Sequence, residues 1–249
     1  MIKLNRPQIP EYLAENKESW TTALLAEVLK HGNYEKIPAE IKDKLVVHYR
    51  DKAIKDVLFP SSNEKCAFCE CLPSEGGGYI QVEHFYPKSI FPAECFSWGN
   101  FLPSCGLCNN SKGALDTSIN FILNPYYDDP SIHLKVNLLR LKPRNNSKIG
   151  DLSIQKLDLN SRRLQRARDS VLESISIALE DISSKLREFD IAGTYTKRKN
   201  KIIKIIDLVA DIEKYMKPEK EHSFFAKEII GVDDDYIRAK YEIDNFVFH

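Results

Sequence analysis

The sequence predicts a mostly helical α+β protein with a metal-stabilised centre. Two Cys-x-x-Cys pairs lie in the middle of the chain, and the segment between them contains short stretches of strand-like alternation. Amphipathic patterns with helical spacing precede and follow this segment. We therefore expect a helical region at 1–62, a zinc-containing core at 63–127 and a mainly helical region at 128–249.

The composition is that of an ordinary globular protein. The chain has 249 residues, 43% apolar and 29% charged, so it is long enough to bury a substantial core. Since the 36 basic and 36 acidic residues cancel, any binding of nucleic acid must come from local patches. There is no apolar run of membrane-spanning length and no leader-like start. We expect a cytoplasmic protein that does not enter a membrane.

The N-terminal region is predicted to contain two helices. The first has a possible cap at Ser19 and a plausible end at Gly32, and the second begins at Pro38, a residue suited to a first helical turn. His31 and His48 lie in this region. Neither histidine has a cysteine or carboxylate partner at metal-ligand spacing, so we assign them no functional role.

The cysteine spacing predicts one zinc ion. Each Cys-x-x-Cys pair delivers two thiolates from a single tight turn, and two pairs complete a tetrahedral shell. The expected zinc ligands are Cys66, Cys69, Cys105 and Cys108. The remaining two, Cys71 and Cys95, have no such spacing and are expected to be spare thiols, because a reducing compartment disfavours disulfides.

The segment between the cysteine pairs predicts a hairpin followed by a helix. A flexible loop at Ser74–Gly78 leads into a strand at Tyr79–His84, and the chain is expected to return as a second strand at Trp98–Leu102. If a helix begins near the second cysteine pair, Asn109 and Lys112, three residues apart, share one of its faces.

The C-terminal region is predicted to contain two long helices. One is capped by Asn160 or Ser161, and the other spans Thr196–Tyr215 before Pro218. Both carry basic clusters, which are either solvated helix faces or contacts to a phosphate backbone. The members of the clusters are Arg162, Arg163, Arg166, Arg168, Lys197, Arg198, Lys199, Lys201 and Lys204.

The core resembles the HNH endonucleases, whose ββα-metal module carries a His on the first strand, an Asn in the hairpin and a His or Asn on the helix. His84, Asn100 and Asn109 stand at these positions, in the order that the family requires. The resemblance implies that His84 is the general base, that Glu83 and Asn109 hold a catalytic divalent ion, and that Asn100 braces the loop. Glu83 departs from the Asp most often found before the first His, and Asn109 is a known variation at the third position.

Hydrolysis of a phosphodiester suits these residue types. An imidazole with a pKa near about 6.5 can accept a proton from water, and Mg²⁺ or Mn²⁺ held by oxygen ligands can neutralise charge on the phosphate and stabilise the leaving oxygen. Lys88 and Lys112 are expected to bind phosphate. The zinc is expected to be structural, since four thiolates leave no open position on the metal.

Further motifs within and after this core point to one group within the HNH family. The motifs Val-Glu-His-Phe-Tyr-Pro-Lys, Trp-x-Asn-Phe-Leu-Pro-Ser-Cys, Asn-Pro-Tyr and Leu-Asp-Leu-Asn-x-Arg resemble those of the HNH subunit of Septu-type antiphage defence systems, which also occurs with retrons. This similarity is sharp over 66–127 and implies a defence nuclease that works with a partner ATPase, contacted through the helical flanks. The substrate, DNA or RNA, stays open. The alternative is a non-catalytic zinc-stabilised adaptor that binds nucleic acid or protein.

Overall fold

The computed structural model describes residues 1–73 and 79–248, and the loop predicted at Ser74–Gly78 lies outside them. The fold is mostly helical α+β with two small sheets, which confirms the predicted class at this level. The chain forms two compact units. The first comprises Met1–Leu134 and Lys142–Leu159, and the second comprises Lys135–Leu141 and the described residues from Asn160 onward. The three-region division by function stays a prediction.

The first unit contains six helices and one antiparallel hairpin among its described residues. They are α1 (Glu11–His31), α2 (Ala39–Val46), α3 (Lys52–Leu58), β1 (Ile80–His84), β2 (Phe101–Cys105), α4 (Gly106–Lys112), α5 (Pro130–His133) and α6 (Lys148–Lys156). Strands β3 (Leu134–Asn137) and β4 (Arg140–Pro143) form the second sheet, and their residues are divided between the two units.

The first helix is longer than the sequence predicted. It begins at Glu11, directly after Pro10, and the Ser19 hydroxyl donates to the Asn16 carbonyl inside the helix instead of capping it. Gly32 ends the helix as predicted, with a φ of +85° that favours glycine. The second helix follows Pro38 as predicted, although Pro38 occupies the capping position and the helix proper begins at Ala39.

The hairpin pairs β1 with β2 so that His84 lies opposite Phe101. The predicted second strand was placed three residues too early, because Trp98–Asn100 form a 3₁₀ turn in which the Asn100 side chain binds backbone groups. α4 follows β2 without a loop, so the predicted helix is confirmed.

The N-terminal helices and the hairpin belong to one core. α3 contacts both α1 and β2, so the helical segment before the cysteines packs directly on the central hairpin. The fully buried side chains of this core include Leu13, Leu24, Ile54, Leu58, Phe68, Phe96, Phe101 and Leu102. Residues far apart in the chain, such as those of the 3₁₀ turn Val47–Arg50, can therefore reach the end of β1.

The second unit is built from α7 (Arg162–Asp190), α8 (Tyr195–Glu213), α9 (Ser223–Ile230) and α10 (Asp234–Asn245). α7 begins after Ser161, and α8 begins after Thr194, whose side chain accepts a hydrogen bond from the Lys197 amide, so both long helices are confirmed. Their shared core includes Ile175, Ile182, Leu186, Ile202, Ile205, Val209, Ile212 and Ile230. Across the described part of the chain, no helix has both the length and the apolar character needed to cross a membrane.

Candidate active site

Four buried cysteines form a cluster that could bind a metal ion such as zinc. The sulfur atoms of Cys66, Cys69, Cys105 and Cys108 all lie within 4.8 Å of one another. The Sγ atoms of Cys69 and Cys105 are 3.8 Å apart. A tetrahedral zinc with Zn–S bonds of about 2.3 Å would place its sulfur ligands about 3.8 Å from one another, so the cluster fits this ion.

The cluster joins two segments that are distant in the sequence. The Ala67 amide donates to the Pro103 carbonyl (2.8 Å), which attaches the first cysteine pair to the edge of β2. Cys105 ends β2 and also caps α4, because its sulfur accepts a hydrogen bond from the Cys108 amide (3.5 Å). A metal bound here would hold the strand, the helix and the first cysteine turn at one point.

Cys71 and Cys95 are buried but are not members of this cluster. Burial raises the pKa of Cys95 to about 12, so its thiol stays protonated at neutral pH and is a poor ligand or nucleophile. This agrees with the expectation that only four of the six cysteines are placed for metal binding.

His84 ends β1 with its ring buried and its protonation fixed by one hydrogen bond. The Nε2 atom lies 2.9 Å from the Cys95 carbonyl oxygen. Because a carbonyl only accepts, Nε2 carries the proton and Nδ1 is left as a proton acceptor. Burial, reinforced by Lys88, lowers the pKa of His84 to about 3, so the ring is neutral at physiological pH. Edge-on contacts with Tyr49 (4.6 Å) and Phe101 (5.2 Å) hold the ring plane.

Glu83 and Lys112 form a buried ion pair beside His84. Lys112 Nζ lies 2.7 Å from Glu83 Oε1 and also donates to the His84 carbonyl (2.8 Å). Burial raises the pKa of Glu83, and the charge of Lys112 opposes this rise. Lys112 was predicted to bind phosphate. Its ammonium instead lies inside the fold, where it joins α4 to β1. The sequence did not predict this pair.

Breaking this pair is expected to destabilise the protein strongly. Lys112→Met leaves the buried Glu83 carboxylate without its cation, and removal of one partner of a buried pair typically costs about 3–5 kcal/mol. Urea denaturation measures the loss. The matched control is Lys52→Met: Lys52 is exposed and pairs with exposed Asp56, so we expect a change of no more than about 0.5 kcal/mol. The double variant Glu83→Gln/Lys112→Met should regain part of the loss, and a Lys112→Met protein as stable as the unmodified one would contradict the pairing.

Asn100 holds the loop between the two strands. Its Oδ1 accepts from the Tyr86 amide (2.6 Å), and its Nδ2 donates to the carbonyls of Tyr86 (3.0 Å) and Glu94 (2.9 Å). The side chain is buried and uses its hydrogen-bonding groups on backbone alone. Cys95, which accepts the His84 hydrogen bond, follows Glu94 directly, so Asn100 acts on the segment that orients the imidazole.

An open cleft of about 470 Å³ brings most of the predicted residues together. Its walls include Glu83, His84, Lys88 and Asn109, whereas Asn100 and Lys112 do not line it. Asn109 is half-buried on α4 and donates a hydrogen bond from Nδ2 to the Gln81 side chain (2.8 Å). This bond does not use the amide oxygen Oδ1 of Asn109. The cleft therefore combines a neutral imidazole, a carboxylate, an amide oxygen and an ammonium within the first unit.

Two residues of the cleft region were missed by sequence reasoning. The buried ring of Tyr49 forms part of the cleft wall, and Arg50 donates from Nε to the Tyr49 hydroxyl (3.1 Å). Both belong to the 3₁₀ turn before α3, more than 30 residues before His84. No local motif marks them, because their position depends on the packing of the N-terminal helices against the hairpin.

Comparison with known proteins identifies relatives over most of the chain. No protein-family model matches the sequence. It is 30% identical over 243 residues to the Septu protein PtuB of Bacillus thuringiensis, with 96% of this chain and 86% of that protein covered. It is also 25% identical to the Septu protein PtuB of Bacillus mycoides (strain KBAB4), with 79% of each chain covered. The Septu-type resemblance is therefore confirmed, and the chain belongs to the Septu PtuB family.

Proposed function

We propose that this chain is a metal-dependent HNH endonuclease that hydrolyses phosphodiester bonds and serves as the effector of an antiphage defence system. The observation that carries the proposal is the cleft in which His84, Glu83, Asn109 and Lys88 meet. Membership of the Septu PtuB family supports the defence role. An adaptor would have no need of a proton acceptor and a pair of oxygen ligands in the same cleft.

The module would be formed by β1, β2 and α4. These elements follow one another as an antiparallel hairpin and a helix, which is the order that a ββα-metal core requires. His84 ends the first strand, Asn100 precedes the second, and Asn109 lies on the helix. The same order motivated the resemblance in the sequence.

His84 would act as the general base through Nδ1. Nε2 is engaged by the Cys95 carbonyl, so Nδ1 is the ring atom that can take a proton from water. Burial and Lys88 hold the pKa of His84 at about 3 in the free protein, and an anionic phosphate bound at Lys88 would raise this pKa and so favour the proton transfer. The resulting hydroxide would attack phosphorus, the bond to the leaving oxygen would break, and the leaving oxygen would take up a proton from solvent. Lys88 would bind a non-bridging phosphate oxygen, since its ammonium lies at the cleft wall.

Glu83 and Asn109 are suited to hold a hard divalent ion. Lys112 contacts Oε1 of Glu83, Asn109 can offer Oδ1, and both Glu83 and Asn109 line the same cleft. Carboxylate and amide oxygens are the ligands that Mg²⁺ and Mn²⁺ prefer. When bound, such an ion would neutralise charge on the phosphate and stabilise the leaving oxygen.

The four-cysteine site would have a structural role. Four thiolates close the coordination shell of zinc, so no position is left for water or substrate. Asn100 would brace the loop that presents the Cys95 carbonyl to His84. A partner ATPase, implied by the Septu-type resemblance, would control or deliver the nuclease and would contact the helical flanks.

The test is a cleavage assay with both substrate classes. Purified protein, with and without the ATPase encoded beside it, would be incubated with plasmid DNA and with total RNA in Mg²⁺ or Mn²⁺. We expect cleavage of at least one substrate that requires the added ion. If the protein binds nucleic acid or the ATPase but cuts neither substrate under any of these conditions, the adaptor is the better description.

A further inference from the structure

We infer that Tyr49 and Arg50, together with Lys88, form a phosphate-binding subsite beside His84 that holds the backbone of a nucleic-acid strand. This inference deepens the proposed function and rests on it for the identity of the ligand. The new part is the contribution of the N-terminal helical segment, which neither the motif pattern nor the resemblance assigns to the site.

The Tyr49 ring is the element that connects the subsite with the candidate base. Arg50 Cζ lies 5.2 Å and Lys88 Nζ lies 5.5 Å from the ring centroid, and the His84 ring meets the same ring edge-on at 4.6 Å. Two cations and the imidazole are therefore arranged around one buried aromatic side chain. A single strand bound at the two cations could also reach His84.

The two cations of the subsite contact the Tyr49 ring and, among the described residues, no carboxylate. Among residues 1–73 and 79–248, neither Arg50 nor Lys88 has a carboxylate within ion-pair distance, although Glu35 lines the same cleft. Lys112 differs, because Glu83 neutralises it. Lys88 lines the cleft, and Arg50 lies on the Tyr49 ring that also lines it. Two cations that have no ion-pair partner among the described residues favour an anionic ligand, and a phosphodiester is the anion that the cleft would process.

The geometry of Arg50 suits a phosphate in particular. Its Nε donates to the Tyr49 hydroxyl, which fixes the guanidinium while leaving the terminal nitrogens for a ligand. A guanidinium held in this way can donate two parallel hydrogen bonds to phosphate oxygens. Arg50 is exposed and Tyr49 is buried, so the tyrosine serves as the support and the arginine as the contact.

The test measures binding apart from cleavage. Affinity for a short labelled DNA duplex and for an RNA of the same sequence would be measured over a range of salt concentrations without added divalent ion, so that the strand is not cut. For Arg50→Ala we expect about tenfold weaker binding of the preferred strand and a salt dependence reduced by about one phosphate contact. Arg50→Lys should keep the salt dependence but lose part of the affinity. Tyr49→Phe should weaken binding less than Arg50→Ala.

The matched control is Lys52→Ala, which removes the same charge two residues further along, where the lysine pairs with Asp56. It should leave affinity and salt dependence unchanged. If Arg50→Ala binds like the unmodified protein, the subsite is wrong even if the nuclease cuts plasmid or RNA. If binding depends on Arg50 in a protein that cuts nothing, the subsite stands and the nuclease proposal fails. If the unmodified protein neither binds nor cuts, both are overturned.

Discussion

Cys105→Ser is expected to unfold or aggregate the central part of the first unit. Zinc binding by four thiolates contributes on the order of 10–16 kcal/mol, and in such sites this binding free energy is folding free energy. Cys105 ends β2, caps α4 and lies 3.8 Å from the Cys69 sulfur, so its loss affects the strand, the helix and the metal together. Removal of zinc with a strong chelator should have the same result.

Elemental analysis and thermal denaturation of the purified protein measure this effect. We expect one zinc per chain in the unmodified protein and little soluble Cys105→Ser. Cys95→Ala is the matched control, because Cys95 is equally buried but stands outside the cluster, and it contacts His84 through its backbone rather than its thiol. Well-folded protein that contains no zinc would contradict the assignment.

Loss of the His84 imidazole is expected to lower the cleavage rate by about 10²–10⁴. His84→Ala removes the proton acceptor without touching the cysteine cluster. Because the ring is buried against Tyr49 and Phe101, His84→Gln is a useful second variant: its amide can still donate to the Cys95 carbonyl but cannot take a proton from water. Both variants should keep their zinc and bind nucleic acid as the unmodified protein does.

The features that the sequence predicted well depend on local chemistry. Four cysteines in two Cys-x-x-Cys turns define their own geometry, and Gly32 and Pro38 mark helix ends through backbone preferences that do not depend on distant contacts. Ser161 stands at the predicted cap position of α7, although its side chain makes no capping hydrogen bond. Asn109 and Lys112 were expected to share a helix face if a helix began near the second cysteine pair, and both lie on α4.

The features that the sequence did not predict depend on tertiary packing. Lys112 could be assigned to a helix face but not to a partner, because the partner is Glu83 on a strand that only the fold brings close. Arg168 shows the same limit. It was predicted to belong to a basic cluster on the helix surface. It lies instead on the buried side of α7 and donates a hydrogen bond to the Leu139 carbonyl (3.1 Å). Tyr49 reaches His84 for the same reason.

The second strand was misplaced for a related reason. Trp98, Phe101 and Leu102 favour a strand, whereas Gly99 and Asn100 are typical of turns. The sequence does not show that the Asn100 side chain binds the Tyr86 backbone. The Asn100 side chain makes three hydrogen bonds, two with the Tyr86 backbone and one with the Glu94 carbonyl. They hold Trp98–Asn100 in a 3₁₀ turn, so the strand begins only at Phe101. A buried asparagine that satisfies a loop overrides the strand preference of its neighbours.

The most direct test of the proposed mechanism is the cleavage rate as a function of Mg²⁺ or Mn²⁺ concentration for the unmodified protein, Asn109→Ala and His84→Gln. A weakened metal ligand should be compensated by more metal, so we predict that Asn109→Ala recovers activity as the ion concentration rises. His84→Gln should stay slow at every concentration, since added ion does not restore the proton acceptor. A His84→Gln or His84→Ala protein that cuts at the unmodified rate would contradict the assignment of His84 as the general base.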